Sequence, residues 1–158
     1  MKRPLAFILL LALGAWDPSR SPNKDVEAGN EAAAEGRWDD AIAAYDRAAK
    51  DGSVDPDGLA YNRGTAELAK AKQTTDAAEK KALTDRALED LKQAGNAKDP
   101  HVRGEAAYNR GNALLDANKY DEAVESYKQA LRDDNTLDDA RINLELALRR
   151  RHKQQQQQ

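Results

Sequence analysis

Two stretches of this chain, residues 29–48 and 111–130, align with each other without a gap. Gly29-Asn30 falls on Gly111-Asn112, and an aromatic, an alanine, an aromatic and an alanine then follow at equal spacing in both stretches. Small residues recur where two helices would touch, and aromatics recur where the space between helices must be filled. A chain that repeats itself in this way is a stack of one helical unit, because a single unit cannot bury its apolar face alone.

Three helix starts share one device. Ser21-Pro22, Asp55-Pro56 and Asp99-Pro100 each place a side-chain oxygen before a proline that suits the first helical position. The first helices then pass through a glycine, and the second helices are predicted to begin near three further positions. The glycines are Gly29, Gly64 and Gly111, and the second starts are Trp38, Asp76 and Tyr120.

The middle copy of the repeat is stretched. About eleven extra residues lie between Gly64 and Ala87 when this copy is compared with the third. Asp76-Ala-Ala-Glu79 has the form of a capping box, which marks a helix start. The extra residues are therefore predicted to form a lengthened turn around Lys70–Thr75.

A final helix is predicted from about Leu137 to Arg151, with Thr136 as its cap. An apolar stripe should close the flank of the third copy, while Ile142 and Leu146 lie on nearly the opposite face and indicate a partner or a continuation of the chain. Five glutamines at 154–158 form a low-complexity tail with nothing to bury. The stripe consists of Leu137, Ala140, Leu144, Ala147 and Leu148.

The N-terminus has the layout of a secretory signal peptide. Lys2 and Arg3 precede an apolar run over 5–13 and the small residues Gly14 and Ala15. The run is shorter than the ~20 apolar residues that span a bilayer. The sequence predicts a signal peptide over 1–15, a linker over 16–21 and a periplasmic mature protein, with an uncleaved inner-membrane anchor as the alternative. Removing Lys2 and Arg3 changes the net charge from −3 to −5, and the absence of cysteine excludes disulfides and a lipidated N-terminus.

The repeated residues resemble the tetratricopeptide repeat. That pattern has a small residue midway along a first helix and an aromatic, Ala, aromatic and Ala series in the second. The resemblance implies an all-α fold, an α-solenoid of about three helix hairpins plus a C-terminal capping helix. The hairpins fall at about 22–54, 56–98 and 100–135, the capping helix at 136–151, and a Gln-rich tail at 152–158.

In this family the first helices line a concave groove that binds a protein or peptide. Carried over to this chain, one row of groove residues reads Val26, Tyr61, Tyr108 and Ile142, and the next reads Asn30, Thr65, Asn112 and Leu146. The tyrosines would anchor apolar groups and the Asn and Thr side chains would bind a partner's backbone. The alternative is that Tyr61 and Tyr108 only pack between helices.

Three charged residues depart from the family pattern. Arg63 and Arg110 stand at a position that is usually apolar, and Glu67 stands where a core residue is expected. Relatives that bind a C-terminal carboxylate use groove lysines, which are absent from the two rows given above. Such a clamp would form here only if Arg63 and Arg110 turned inward.

Residues 104–158, with the motif Tyr-Asn-Arg-Gly-Asn, resemble a narrower group. These are the tetratricopeptide proteins of bacterial aerotolerance (Bat-type) operons, encoded beside von Willebrand factor A proteins and MoxR-type ATPases. The resemblance implies an envelope scaffold that acts with those partners.

No catalytic set can be assembled from the residues. His101 and His152 lack a metal-ligand spacing, and no nucleophile elbow or phosphate loop occurs. The basic run 149–153 is accounted for by favourable cations at a helix C-terminus. We expect a non-enzyme without metal or cofactor, an enzyme of unrecognised type being the remote alternative. We expect no nucleic-acid partner, and membrane association and oligomeric state stay open.

Overall fold

The computed structural model describes residues 23–157, and the predicted signal peptide, linker and Ser21-Pro22 lie outside that range. The secondary structure of residues 23–157 consists of helices and no strands, which confirms the predicted all-α class. No helix in this range is long and apolar enough to cross a membrane. The helices are α1 (Lys24–Ala34), α2 (Trp38–Asp51), α3 (Pro56–Gln73), α4 (Ala77–Ala94), α5 (Pro100–Asp116), α6 (Tyr120–Asp133) and α7 (Asp138–Gln156).

The helices form three hairpins stacked in chain order, as the solenoid prediction requires. α1 packs on α2, α3 on α4 and α5 on α6, and α7 closes the array against α6. The odd-numbered helices also contact one another in series, from α1 to α3, α5 and α7. Within residues 23–157 the even-numbered helices meet only odd-numbered ones. The odd helices therefore form one continuous layer.

Alanine makes the close helix contacts. Ala41, Ala48, Ala87, Ala123 and Ala130 are all fully buried, and each lies on the second helix of a hairpin. A methyl side chain lets two helix axes approach closely. The repeated alanines are therefore structural, as their spacing predicts.

The predicted caps at Asp55, Asp76 and Asp99 are confirmed. Asp55 accepts from the Gly58 N–H at 3.1 Å, Asp76 from Glu79 at 2.7 Å, and Asp99 from His101 at 2.9 Å. α1 begins at Lys24, and Asn23 is its cap, accepting from the N–H groups of the second and third helical residues. The predicted start at Ser21-Pro22 lies outside the described residues.

The eleven extra residues of the middle hairpin are helical, so the predicted long turn at 70–75 is wrong. α3 runs to Gln73, nine residues past Gly64, whereas α5 ends five residues past Gly111. α4 begins ten residues before Ala87, whereas α6 begins three before Ala123. The insertion thus adds about one helical turn to α3 and two to α4. The connections between the two helices, α3 to α4 and α5 to α6, are each three residues long.

The last helix starts later and ends later than predicted. Leu137 is the N-cap residue of α7 and gives no side-chain cap, so Thr136 is not the cap. Thr136 instead bonds to Asp134, its backbone N–H at 2.9 Å. α7 continues to Gln156, so most of the predicted tail is helical. Its apolar stripe packs on the third hairpin as predicted, with Ala140 and Ala147 fully buried.

Candidate protein-binding surface

In the first and third hairpins, the two helices are held together by the same contact between a tyrosine ring and a glycine. The Tyr127 ring of α6 lies on Gly111 of α5 so closely that a Cβ added at Gly111 would stand 2.6 Å from Cε1. The Tyr127 hydroxyl then donates to Asn112 at 2.8 Å. Tyr45 packs on Gly29 in the same way and donates to Asn30 at 2.9 Å. The glycine makes room for the ring and the asparagine receives its hydroxyl.

Burial weakens the acidity of both tyrosines. Loss of contact with water raises the pKa of Tyr45 to about 12, and the pKa of Tyr127 rises for the same reason. Their hydroxyls stay protonated at neutral pH and act as hydrogen-bond donors. Asn30 and Asn112 are therefore partly used in holding their own hairpins.

In the middle hairpin both the tyrosine and the asparagine are replaced. Leu91 of α4 stands where the tyrosines stand, and its Cγ would lie 3.1 Å from a Cβ at Gly64. Thr65 replaces the asparagine. Leucine has no hydroxyl to satisfy, so the missing amide costs nothing there.

Polar side chains link successive odd helices. Asn143 of α7 donates to Asn112 of α5 at 2.9 Å. Asn109 of α5 donates to the Thr65 hydroxyl of α3 at 3.4 Å, and Asn62 of α3 lies 3.5 Å from the Asn30 oxygen of α1. The sequence predicts the acceptors as groove residues. The donors were missed, although Asn62 and Asn109 stand in the repeated Tyr-Asn-Arg-Gly motif.

Tyr61 and Thr65 do not line open surface, which corrects that part of the prediction. Tyr61 is 7% exposed and packs with Leu91, Ala94 and Ala106, and Thr65 is 5% exposed. α5 covers both side chains because it stacks directly on α3. The alternative interpretation, packing between helices, describes Tyr61.

The other six predicted residues stay in reach of solvent to different degrees. Val26, Asn30 and Asn112 are half-buried, and Val26 packs against the core of the first hairpin. Tyr108 is half-buried, with its ring 6.2 Å from that of Tyr127 and tilted by 49°. Ile142 is 64% exposed and Leu146 38% exposed. A role in binding is still a prediction for all six.

An acidic cleft of about 270 Å³ opens between α5 and the start of α7. Its lining combines the apolar side chains of Tyr108, Leu137 and Ala140 with carboxylates that include Glu105 and Asp139. Burial raises the pKa of Glu105, the nearby His101 opposes this rise, and the carboxylates of Asp134 and Asp139 reinforce it. The cleft suits a positively charged group next to an apolar one.

The two arginines that break the pattern are not available for a carboxylate clamp. Arg63 binds Asp90 of α4 through two nitrogens, at 2.6 and 2.7 Å, and Asp46 of α2 at 3.1 Å. Arg110 donates to Ser126 of α6 at 3.2 Å. Both guanidinium groups bind even helices and do not turn toward a groove. They explain how this chain tolerates a charge at an apolar position of the repeat.

A second cleft, of about 450 Å³, lies where the turn of the first hairpin meets the end of α3. Trp38, Asp39, Lys70 and Thr74 line it. Lys70 is engaged by Asp39 at 2.6 Å and Glu79 at 3.1 Å. The sequence does not indicate this cleft, because the cleft depends on the extra helical turn of α3.

The described residues contain no group of three or more His, Cys, Asp and Glu side chains placed to hold a metal ion. His101 bonds to Asp134 at 2.6 Å, and this bond raises the pKa of His101. Hydrogen bonds from the Thr136 hydroxyl, from this histidine and from the Thr136 N–H lower the pKa of Asp134 to about 2. This pair joins the start of α5 to the end of α6.

Comparisons with known proteins agree with this architecture. A tetratricopeptide repeat family model matches residues 26–89, and a second model described as a TPR repeat matches 111–148. No curated protein matches the chain. The two matched ranges together cover more than half of the sequence and include residues from all three hairpins and α7. The chain is therefore a tetratricopeptide repeat protein.

Proposed function

We propose that this chain is an exported scaffold that binds a protein partner in the α5–α7 cleft. Tetratricopeptide repeats generally mediate protein–protein interactions. The observation that carries the proposal is the cleft itself, where apolar side chains lie beside two carboxylates that form no ion pair within the described residues. Those carboxylates are Glu105 and Asp139.

The lining of the cleft supports a particular chemistry for the partner. Tyr108 and Leu137 offer apolar area, and the half-burial of Glu105 weakens water's screening of its carboxylate, while Asp139 is exposed. A lysine or arginine of the partner would satisfy Glu105 and Asp139 while an adjacent apolar side chain covers the ring of Tyr108. The expected ligand is an extended or helical segment that carries such a pair.

The partner class and the location come from the sequence resemblance. Residues 104–158 resemble proteins encoded beside von Willebrand factor A proteins, and the cleft lies inside that range. Such a domain facing the periplasm is our candidate partner. The alternative is a membrane-tethered assembly factor that keeps its N-terminal segment and uses the same cleft.

The binding test uses a purified von Willebrand factor A-type domain encoded beside this chain. The variant Glu105→Gln with Asp139→Asn should weaken binding at least tenfold, and the affinity of the wild type should fall as salt rises. The control is Glu89→Gln with Glu122→Gln, which removes two exposed carboxylates from the even helices. Equal affinity of the cleft variant and the control would refute the cleft as the binding site.

The export test is independent of binding. The N-terminus of the protein isolated from its native host should begin near residue 15 or 16, as determined by mass spectrometry. An intact Met1 on protein in the membrane fraction would favour the tethered alternative. An intact Met1 on cytoplasmic protein would refute both.

A further inference from the structure

The exposed pair Ile142 and Leu146 stands at positions that meet the next helix elsewhere in the array. Tyr61, the counterpart of Ile142 in α3, packs on Ala106 of α5. Tyr108, its counterpart in α5, packs in one cluster with the stripe of α7. Thr65 and Asn112, the counterparts of Leu146, each bind an asparagine of the following odd helix. Ile142 and Leu146 therefore lie on a stacking face that no helix within residues 23–157 covers.

The array cannot simply repeat itself past α7. The close approach of an even helix requires a glycine, at Gly29, Gly64 and Gly111. The matching residue of α7 is Glu145, whose side chain is 64% exposed and pairs with Arg149 one turn later. A fourth hairpin of the same kind has no room at Glu145. A partner that covers Ile142 and Leu146 therefore packs on the stacking face and does not pack at Glu145.

Charge is distributed along this face in two blocks. Asp138 and Asp139 precede the apolar pair by three to four residues, and Arg149 and Arg150 follow it by the same spacing. All four side chains are exposed. At 1.5 Å per residue each block lies within about 12 Å of the midpoint between Ile142 and Leu146.

This face is complementary to itself when reversed. If two copies of α7 lie antiparallel about that midpoint, Ile142 of one copy meets Leu146 of the other. Asp139 then faces Arg149, and Asp138 faces Arg150, on both sides of the apolar centre. A twofold axis requires that kind of match, whereas a parallel pair would place like charges opposite each other.

We propose that two copies of this chain associate through the exposed face of α7, antiparallel, with Ile142 and Leu146 at the centre and two carboxylate–guanidinium pairs on each side. The charges are also favourable to the helix dipole, but that effect does not account for two exposed apolar side chains between the blocks. The intrahelical pairs Arg141–Asp138 and Arg149–Glu145 are exposed, and such pairs are weak enough to exchange partners. Asp138 and Asp139 line the α5–α7 cleft as well as this face, whereas Ile142 and Leu146 line only this face, so substitutions of the apolar pair test the association separately from the cleft.

Sedimentation analysis of the purified protein tests the association. The wild type should show a monomer–dimer equilibrium that weakens as salt rises. Ile142→Ser with Leu146→Ser should raise the dissociation constant at least tenfold without lowering the melting temperature, because both side chains are exposed. The control Ala43→Ser with Ala49→Ser changes two exposed apolar residues of α2. A wild type that stays monomeric at millimolar concentration would overturn the proposal, as would a dimer that the serine variant retains.

Cysteine cross-linking tests the direction, since the chain has no cysteine of its own. Asp139→Cys and Arg149→Cys are made separately, and the mixed dimer keeps one Asp139–Arg149 pair intact. The mixture should form a disulfide-linked dimer under mild oxidation, at least tenfold faster than either variant alone. In the antiparallel dimer two copies of position 139 lie about 15 Å apart along the helix axis. Equal cross-linking of Asp139→Cys with itself would overturn the antiparallel arrangement.

Discussion

Glu67 is a carboxylate at a buried position, and replacing it with glutamine gives a prediction with a definite pH dependence. Its carboxylate is fully buried in α3, and neither oxygen accepts a well-directed hydrogen bond. Arg86 of α4 contacts one oxygen as an ion pair, but its own side chain is half-exposed. Burial raises the pKa of Glu67 to about 7, opposed by Arg86 and reinforced by the carboxylate of Asp90.

The sign of the effect follows from this shift. The folded chain holds the Glu67 proton up to a pH of about 7, whereas the ordinary pKa is 4.5. The contribution of Glu67 to stability is therefore fully present below pH 4.5 and is lost as pH rises through about 7. At 1.36 kcal/mol per unit of pKa, the loss approaches a ceiling of about 3 kcal/mol. At pH 5 the loss is under about 1 kcal/mol.

Glutamine has the shape of the protonated acid and no charge to desolvate. Glu67→Gln should be more stable than the wild type by under about 1 kcal/mol at pH 5 and by up to about 3 kcal/mol at pH 8.5. Urea denaturation followed by circular dichroism at both values measures the difference. Glu89→Gln, on the exposed face of α4, is the matched control and should show no such trend. A Glu67→Gln advantage that is equal at the two pH values, or negative at pH 8.5, would refute the reasoning.

Three further predictions follow from the packing. Ala41→Leu should lower the free energy of unfolding by about 1–3 kcal/mol because it overfills a fully buried contact, while Ala43→Leu, exposed on the same helix, should change it by less than about 0.5 kcal/mol; equal melting temperatures would contradict the helix contact. Tyr127→Phe should lower the free energy of unfolding by about 1 kcal/mol, because the hydrogen bond between α6 and α5 is lost. A thermal melt equal to that of the wild type would mean that water replaces that bond. His101→Gln should lower the free energy of unfolding by less than about 1 kcal/mol at pH 5.5, because Asp134 raises the pKa of this half-exposed histidine. The loss should shrink as pH rises past that pKa, and a loss that grows toward pH 9 would contradict the assigned sign.

The local structure of this chain is largely readable from its sequence, because the signals are short-range. The aspartate before proline at 55 and 99 predicts two helix starts correctly, and the Gly-to-Tyr spacing predicts which helices pair. The turns agree as well, since Gly36 and Asn118 stand at matching positions and both adopt positive φ, at 73° and 59°. Each of these features is decided within one hairpin.

The helical structure of the insertion is not predictable from its composition, which suits a turn and a helix equally. Lys70–Gln73 contains good helix formers, and the capping signal at Asp76 is compatible with either a long or a short turn. Helix continues there because α3 and α4 extend together and pack on each other beyond the ends of the neighbouring hairpins. The length of both helices is set by that mutual contact, which a local pattern does not contain.

The exposure of the predicted binding rows depends on neighbours and not on residue type. Tyr61 and Tyr108 occupy the same position of the repeat, yet Tyr61 is buried because α5 stacks fully on it, and Tyr108 stays half-exposed because the start of α7 leaves a cleft. Ile142 has no covering helix among the described residues and is the most exposed of the three. Residues at the same position of the repeat are thus buried in α3, line a cleft in α5 and are exposed in α7. Within residues 23–157, recognition surfaces should accordingly lie toward α7, where no further helix covers these positions and they are available to another protein.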